Sequence, residues 1–81
     1  MKCSDAFGAD AVYERFRDRL LTVMRHNGMT AQAFAEACGV SRFTVNGWLH
    51  KGQMPNGYSL YLVCNAFGVS ANWLLGLDER R

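Results

Sequence analysis

The most informative stretch of this chain is TAQAFAEACGVSRFTVNGWLHK, residues 30–51, and its centre is Gly39-Val40-Ser41. Glycine at position 39 can adopt the left-handed backbone conformation that closes a helix. Ser41 is a favourable N-cap, because its hydroxyl oxygen can accept a hydrogen bond from an unpaired amide of the next helix. Val40 and Val45 have the spacing of a hydrophobic staple across this cap. Since one residue separates the helix end from the next cap, the pattern predicts two short helices that cross steeply, a helix-turn-helix.

Both helices carry apolar residues at helical spacing. Those predicted to face the core are Phe34, Ala35, Cys38, Val45, Trp48 and Leu49. The rest of the second helix forms a stripe that is predicted to face away from the core: Arg42, Phe43, Asn46, Gly47 and His50. A phenylalanine and a glycine are unusual on a solvent-facing helix surface. This stripe is therefore the first candidate for a binding surface.

The pattern glycine, apolar residue, serine or threonine occurs four times, beginning at residues 28, 39, 57 and 68, and each predicts a helix start. Before the first of these, a helix is predicted from a cap at Asp10 to about His26. It carries one apolar stripe at helical spacing: Val12, Phe16, Leu20 and Val23. Thr30 is the predicted cap of the second helix, and Gly52 with Pro55 ends the third.

The last two helices are predicted to begin at Gly57-Tyr58-Ser59 and at Gly68-Val69-Ser70, the second of them ending at Gly76. No alternating run of five or more residues bounded by turns predicts a strand. The predicted fold is therefore all-α, a compact bundle of five short helices with the helix-turn-helix formed by the second and third. The predicted domain covers residues 10–77, between a flexible N-terminal arm (1–9) and a C-terminal tail (78–81).

Length and hydropathy limit the class of protein. The 81 residues predict a single domain, and a hydrophobic content of 49% is sufficient for its core. No apolar run approaches the ~20 residues that span a bilayer, and the N-terminus lacks the apolar segment of a signal peptide. These features predict a cytoplasmic protein.

The net charge of +2 is too small to indicate a polyanionic partner, but its distribution is uneven. Residues 19–77 contain one acid, Glu36, against four basic residues: Arg19, Arg25, Arg42 and Lys51. From charge alone, an ordinary solvated surface and a surface for a polyanion are equally consistent with this balance.

The three cysteines, Cys3, Cys38 and Cys64, are odd in number and form no CxxC pair. Their spacing to His26 and His50 fits no zinc pattern, so no metal or other cofactor is expected. Cys38 and Cys64 fall on apolar faces, where a thiol acts as a small hydrophobe. No Ser/His/Asp set, paired carboxylates or phosphate-binding glycine loop is present, and the chain is predicted not to be an enzyme.

The chain resembles a known family, the phage repressor/Cro-like (lambda-repressor-like, XRE-type) helix-turn-helix domains. The residues that carry the resemblance are Ala35, Gly39, Val40, Val45 and Trp48, the Trp48-x-x-x-Gly52 ending with Pro55 after it, and Gly68-Val69-Ser70 followed by Trp73-Leu74-Leu75-Gly76. It covers residues 10–77. The resemblance implies sequence-specific binding of double-stranded DNA, with the helix of residues 41–50 in the major groove.

Carried over by position, the resemblance implies that Arg42, Phe43 and Gly47 occupy base-facing sites. Asn46 is the fourth candidate for a base contact, because of its chemistry. Arginine can bond to guanine, asparagine suits adenine, and an apolar ring can shelter a thymine methyl. Each also has a structural interpretation: a phosphate contact or solvation for Arg42, packing against the first helix or a dimer partner for Phe43, and a local role for Asn46. Gly47 indicates either close approach of the backbone to DNA or crowding near Trp48.

The expected phosphate contacts lie at helix starts and after the recognition helix. The candidates are Thr30, Gln32, Ser41, Thr44, Lys51, Asn56 and Ser59. The end of the chain is more apolar than one short helix needs, so part of it is expected to be core and the remainder a two-fold interface. The candidates for that interface are Trp73, Leu74, Leu75 and Leu77.

The leading hypothesis is a phage or bacterial transcriptional repressor that binds a palindromic operator as a homodimer. The chain could be complete or could lack a C-terminal domain. An antitoxin autorepressor or a restriction-system controller would have the same features. The alternative from another class is a protein-interaction module on the same fold, which would tolerate Arg42→Glu far better than a DNA-binding protein.

Overall fold

A computed structural model describes residues 9–78 of the chain, with side chains from Ala11 onward. The described part contains five helices: α1 (Ala9–His26), α2 (Ala31–Cys38), α3 (Arg42–His50), α4 (Gly57–Phe67) and α5 (Ala71–Leu74). No strand occurs within residues 9–78. The predicted all-α fold with five helices is confirmed, and α2 with α3 forms the helix-turn-helix.

The start of α1 differs from the prediction. Ala9 and Asp10 both lie within α1, so the prediction that Asp10 caps this helix is wrong. Alanine is the strongest helix former and extends a helix without a special cap. The rest of the predicted arm, residues 1–8 with Cys3, and residues 79–81 of the predicted tail lie outside the described residues.

The turn between α2 and α3 has the predicted structure. Gly39 is left-handed at φ +83°, and its amide donates to the carbonyl oxygens of Ala35 and Glu36. Ser41 is extended, and its Oγ accepts a hydrogen bond from the Thr44 amide at 3.1 Å. Gly39 therefore ends one helix and Ser41 starts the next within three residues.

The same device begins α2 and α5 but not α4. Thr30 Oγ1 accepts from the Ala33 amide at 3.1 Å, and Ser70 Oγ accepts from the Trp73 amide at 2.9 Å. The predicted start of α4 at Gly57 is confirmed, but its cap is Asn56 and not Ser59: Asn56 Oδ1 accepts from the amide of Ser59 at 2.8 Å. Asparagine caps as well as serine does, and Asn56 comes first along the chain, so Ser59 provides the amide.

The core lies where α1 crosses the helix-turn-helix and α4 packs behind it. All six residues predicted to face the core in α2 and α3 are buried. Phe16 meets Trp48 edge-on at 6.2 Å between ring centroids, and Phe34 stacks on Phe67 at 5.0 Å. Val12 is 38% exposed, so its predicted place in the core is wrong. Tyr13, the next residue, packs against the core instead.

α3 lies at the surface of the bundle, with one face packed on α2 and the other exposed. α2 packs against α3 and α4, while α5 packs against α1 and α4.

None of the helices between residues 9 and 78 is long and apolar enough to cross a membrane.

Candidate nucleic-acid interface

The first turn of α3 exposes two large side chains. Arg42 is exposed, and Phe43 exposes 74% of its surface. The Arg42 guanidinium lies 5.3 Å from the centroid of the Phe43 ring, within the range of a cation–π contact. The opposite face of the helix is buried through Val45, Trp48 and Leu49. The core thus holds α3 while its N-terminal turn presents a cation and an aromatic ring.

His50 continues the exposed stripe and Asn46 does so in part, but Gly47 does not. Asn46 is half-buried and His50 is exposed, whereas Gly47 is buried. The Gln53 amide donates to the Gly47 carbonyl at 3.1 Å. A Cβ built at Gly47 would overlap the Gln53 side-chain carboxamide. The predicted exposure of Gly47 is therefore wrong, because the loop after α3 folds back over it.

The loop that covers Gly47 turns at Gly52. Gly52 takes φ +71°, which turns the chain back toward the helix it has just left. The burial of Gly47 therefore depends on the path of the loop after α3.

Three of the seven phosphate candidates are helix caps: Thr30, Ser41 and Asn56. Their side-chain oxygens accept hydrogen bonds from amides of their own helices, while the side chains are exposed. Lys51 and Gln32 are also exposed, and Gln32 Nε2 donates to a Glu36 carboxylate oxygen at 3.4 Å. Caps of this kind have a structural role whether or not they contact DNA.

The remaining two candidates, Thr44 and Ser59, are half-buried. Thr44 Oγ1 lies 3.1 Å from Ser41 Oγ, so the two hydroxyls share a hydrogen bond at the start of α3.

One shallow depression brings two of the candidate groups together. It lies between α2 and α3 and is lined by Gln32, Ala35, Glu36, Val40 and Arg42. A phosphate candidate and a base candidate therefore share one surface. Glu36, the single acid of residues 19–77, lies there too.

The other end of α3 is held by side chains that the sequence analysis did not single out. Tyr13 donates its hydroxyl to the Trp48 carbonyl at 2.6 Å, and Arg17 Nε donates to the Leu49 carbonyl at 2.7 Å. The two donors are four residues apart on α1 and so lie on the same side of that helix. The spacing of Arg17 from Tyr13 is the signal that could have identified it.

Two further arginines of α1 bind carbonyl groups at the end of the chain. Arg15 Nη1 donates to the Gly76 carbonyl at 3.1 Å. Arg19 Nη1 donates to the carbonyls of Trp73 and Asp78, each at 2.8 Å, and its guanidinium lies over the Trp73 ring. Arg19 is half-buried and therefore contributes less to an external surface than the sequence indicated, whereas Arg15 is exposed.

The predicted dimer interface is corrected in part. Trp73 is 6% exposed and Leu74 is fully buried, so both belong to the core of the bundle. The reason is the length of α5, which has four residues and uses two of them to pack on the bundle. Leu75 is half-buried and packs against the core, whereas Leu77 is 75% exposed.

Cys38 and Cys64 have the properties of apolar residues, with Cys38 buried and Cys64 half-buried. Burial raises the pKa of the Cys38 thiol to about 11, with a further contribution from the neighbouring Cys64. Burial also raises the pKa of Cys64. Both thiols are therefore protonated near neutral pH, where the thiolate is the reactive form. Among residues 9–78, no three His, Cys, Asp or Glu side chains are grouped so that they could hold a metal ion.

Comparison with known proteins identifies the family of the helix-turn-helix described above. The family model described as helix-turn-helix matches residues 20–74, which include all of α2 to α5. Neither a search of curated proteins nor a search of solved structures returned a match. Because the match covers more than half of the 81 residues and both helices of the motif, this chain belongs to the lambda-repressor-like (XRE-type) family of helix-turn-helix DNA-binding regulators.

Proposed function

We propose that this protein is a transcriptional repressor of the phage or bacterial type, which reads a specific sequence of double-stranded DNA with α3. The observation that carries the proposal is the first turn of α3, where Arg42 and Phe43 are exposed on a helix whose other face is anchored in the core. A major groove admits an α-helix, and residues near the N-terminus of that helix reach the base edges.

Each exposed residue of this turn has a chemical role in the proposal. Arg42 bonds to the N7 and O6 atoms of a guanine, a contact that discriminates by ~1–3 kcal/mol. Phe43 covers a thymine methyl group, which removes an apolar ring from water. Asn46, one turn on, bonds to an adenine. Gly47 contributes no side chain and lies under the side chain of Gln53. In the proposed complex, Gln53 therefore faces the major groove at this point of α3.

Contacts to phosphate orient the domain without reading sequence. Lys51 provides the one formal positive charge directly after α3. The capped starts of α2 and α4 provide further donors through Thr30, Gln32, Asn56 and Ser59. Amides at a helix start favour an anion, because they carry the positive end of the helix dipole.

The proposed assembly is a homodimer on a palindromic operator, with half-sites about one helical turn (~34 Å) apart. Leu77 is the central interface residue, because it is 75% exposed and apolar. Leu75 adds to it from the rim of the core. Leu77→Asp should leave the fold intact and weaken self-association, measured by sedimentation equilibrium. An unchanged association constant would remove Leu77 from the interface.

Selection of bound duplexes from a randomised pool tests the proposal, followed by salt titration of the selected duplex. Wild type is compared with Arg42→Ala and with a matched control, Arg25→Ala. Arg25 is exposed in the last turn of α1, so the control removes the same charge from another helix. A palindromic consensus with a guanine, and relaxed preference at that guanine in Arg42→Ala alone, are expected.

Lys51→Ala distinguishes contacts to phosphate from contacts to bases. It should weaken binding to all duplexes alike and reduce the salt slope by about one. If wild type binds its selected duplex no better than random DNA, the proposal is wrong.

A second candidate is a protein-interaction module on the same fold, and the exposed Phe43 ring is the observation that favours it. Charge reversal separates the two functions. Arg42→Glu places a negative charge against DNA and should abolish binding of the selected duplex, whereas a protein partner would still be bound through Phe43.

A further inference from the structure

The end of α3 is bound to α1 by two side-chain hydrogen bonds. The last four carbonyl groups of a helix have no partner within the helix. In α3 two of them, those of Trp48 and Leu49, accept hydrogen bonds from Tyr13 and Arg17 at 2.6 and 2.7 Å. The donors precede their acceptors by 35 and 32 residues, so these bonds are tertiary contacts.

These two bonds constrain α3 in a manner that the core does not. Burial of Val45, Trp48 and Leu49 is non-directional, so it tolerates small rotations and shifts of the helix. Hydrogen bonds require a short distance and a narrow angle. Successive carbonyls of a helix are rotated by roughly 100° about its axis. Bonds to two successive carbonyls therefore restrict both rotation and axial shift.

We propose that Tyr13 and Arg17 are positioning residues that set the orientation of α3 in the DNA groove and thereby its discrimination between sequences. This inference rests on the proposed function. Neither side chain contacts DNA in this role. Tyr13 and Arg17 hold the C-terminal end of α3, so that Arg42 and Phe43 at the other end meet the correct base pairs.

The expected consequence is a selective loss of specific binding. Without one bond, α3 occupies its reading position for a smaller fraction of the time, and the apparent dissociation constant rises by the inverse of that fraction. Binding to random DNA depends on phosphate contacts and charge, which tolerate a shifted helix. Affinity for the selected duplex should fall while affinity for random DNA stays the same.

Two conservative variants test this role. Tyr13→Phe removes only the hydroxyl, and Arg17→Lys removes the Nε donor while it keeps the positive charge near the end of α3. The matched control is Arg15→Lys, which makes the same chemical change on the same helix at a residue that binds the Gly76 carbonyl instead. None of the three changes alters the net charge, so the salt slope should stay constant.

The measurement is the affinity of each folded variant for the selected duplex and for a random duplex, at a temperature well below its unfolding. Loss of one hydrogen bond to an α3 carbonyl should lower the affinity for the selected duplex about fivefold in Tyr13→Phe and Arg17→Lys. Arg15→Lys should remain within about twofold of wild type. Amide exchange at Lys51 and Gln53, which donate to the Gly47 carbonyl, should quicken in the first two variants only.

Two results would overturn the inference, and they are distinct. If wild type discriminates between duplexes and Tyr13→Phe and Arg17→Lys bind as Arg15→Lys does, the positioning role is wrong and DNA reading remains. If wild type does not discriminate between the selected and random duplexes, the proposed function fails and the positioning role fails with it. The exchange rates at Lys51 and Gln53 then still report whether the two bonds restrain α3.

Discussion

The chain contains the triplet Gly-Val-Ser twice, at residues 39–41 and 68–70, and the two copies have the same local structure. Each glycine is left-handed, at φ +83° and +67°. Each serine caps the next helix by accepting from the amide three residues on, at 3.1 and 2.9 Å. The triplet is thus a local signal that ends one helix and starts another, whatever the helix is used for.

The two helices that follow differ in what they expose. In α3 the two residues after the cap, Arg42 and Phe43, are exposed, and burial begins at Val45. In α5 the corresponding residues are Ala71 and Asn72, and burial begins at Trp73. The second residue after the cap is exposed in both places, whereas the first is exposed in α3 (Arg42) and half-buried in α5 (Ala71). Only the pair in α3 has the chemistry to read bases. Function therefore depends on the residues after the signal.

The largest expected effect is on the anchors of the two helices. Trp48→Ala should lower the free energy of unfolding by ~3–5 kcal/mol, because it leaves a cavity against Phe16. Trp73→Ala should cost ~3 kcal/mol, at the lower end, because α5 is short and terminal. Urea unfolding followed by circular dichroism measures both. A smaller loss for Trp48→Ala than for Trp73→Ala would show that Trp48 is not the stronger anchor.

A double substitution would give α3 the first turn of α5. Arg42→Ala with Phe43→Asn should leave stability nearly unchanged, since both side chains are exposed. Binding of the selected duplex should weaken by ~2–3 kcal/mol through the lost base contacts. Fluorescence anisotropy measures the affinity, and Asn72→Ala in α5 is the control that should bind as wild type. Retained affinity in the double variant would show that bases are read elsewhere.

The two turn glycines should respond alike to alanine. Gly39→Ala and Gly68→Ala each force a Cβ into the left-handed region, which costs ~1–2 kcal/mol. Nothing lies within 4 Å of the new Cβ at either site, so strain is the whole effect. Urea unfolding of the two variants should give equal losses. A large difference would mean that the two copies of the triplet are not equivalent.

The smallest effect concerns Gly47, which has no counterpart in α5. Alanine gains ~1 kcal/mol over glycine within a helix, but at position 47 its Cβ would overlap the Gln53 side chain. Gly47→Ala alone should therefore change stability little. In a Gln53→Ala background the same change should stabilise by ~1 kcal/mol, because the space is open. Equal effects in the two backgrounds would show that Gln53 does not cover Gly47.

Much of the fold was predictable, because the start and end of a helix are determined by residues that are close in sequence. The caps at Thr30, Ser41 and Ser70 and the left-handed Gly39 were predicted from spacing alone and are confirmed. The buried faces of α2 and α3 were also predicted correctly. The cap of α4 was missed, because Asn56 and Ser59 both satisfy the local rule and the chain uses the first.

The candidate site was predictable only where local geometry sets exposure. The outward positions of Arg42 and Phe43 follow from the cap and the helical period. The burial of Gly47 does not, because Gln53 comes from the loop that returns over the helix. The burial of Trp73 and Leu74 depended likewise on how α5 packs against α1.

The sequence alone therefore set the number of helices, most of their ends and the identity of the two residues that α3 presents. Those signals act over about four residues, the reach of one helical turn. The partners of Tyr13, Arg15, Arg17 and Arg19 lie 32 to 61 residues away along the chain. Such contacts exist only after the apolar faces have packed and brought helix ends beside α1, which is why tertiary structure alone determines how firmly α3 is held.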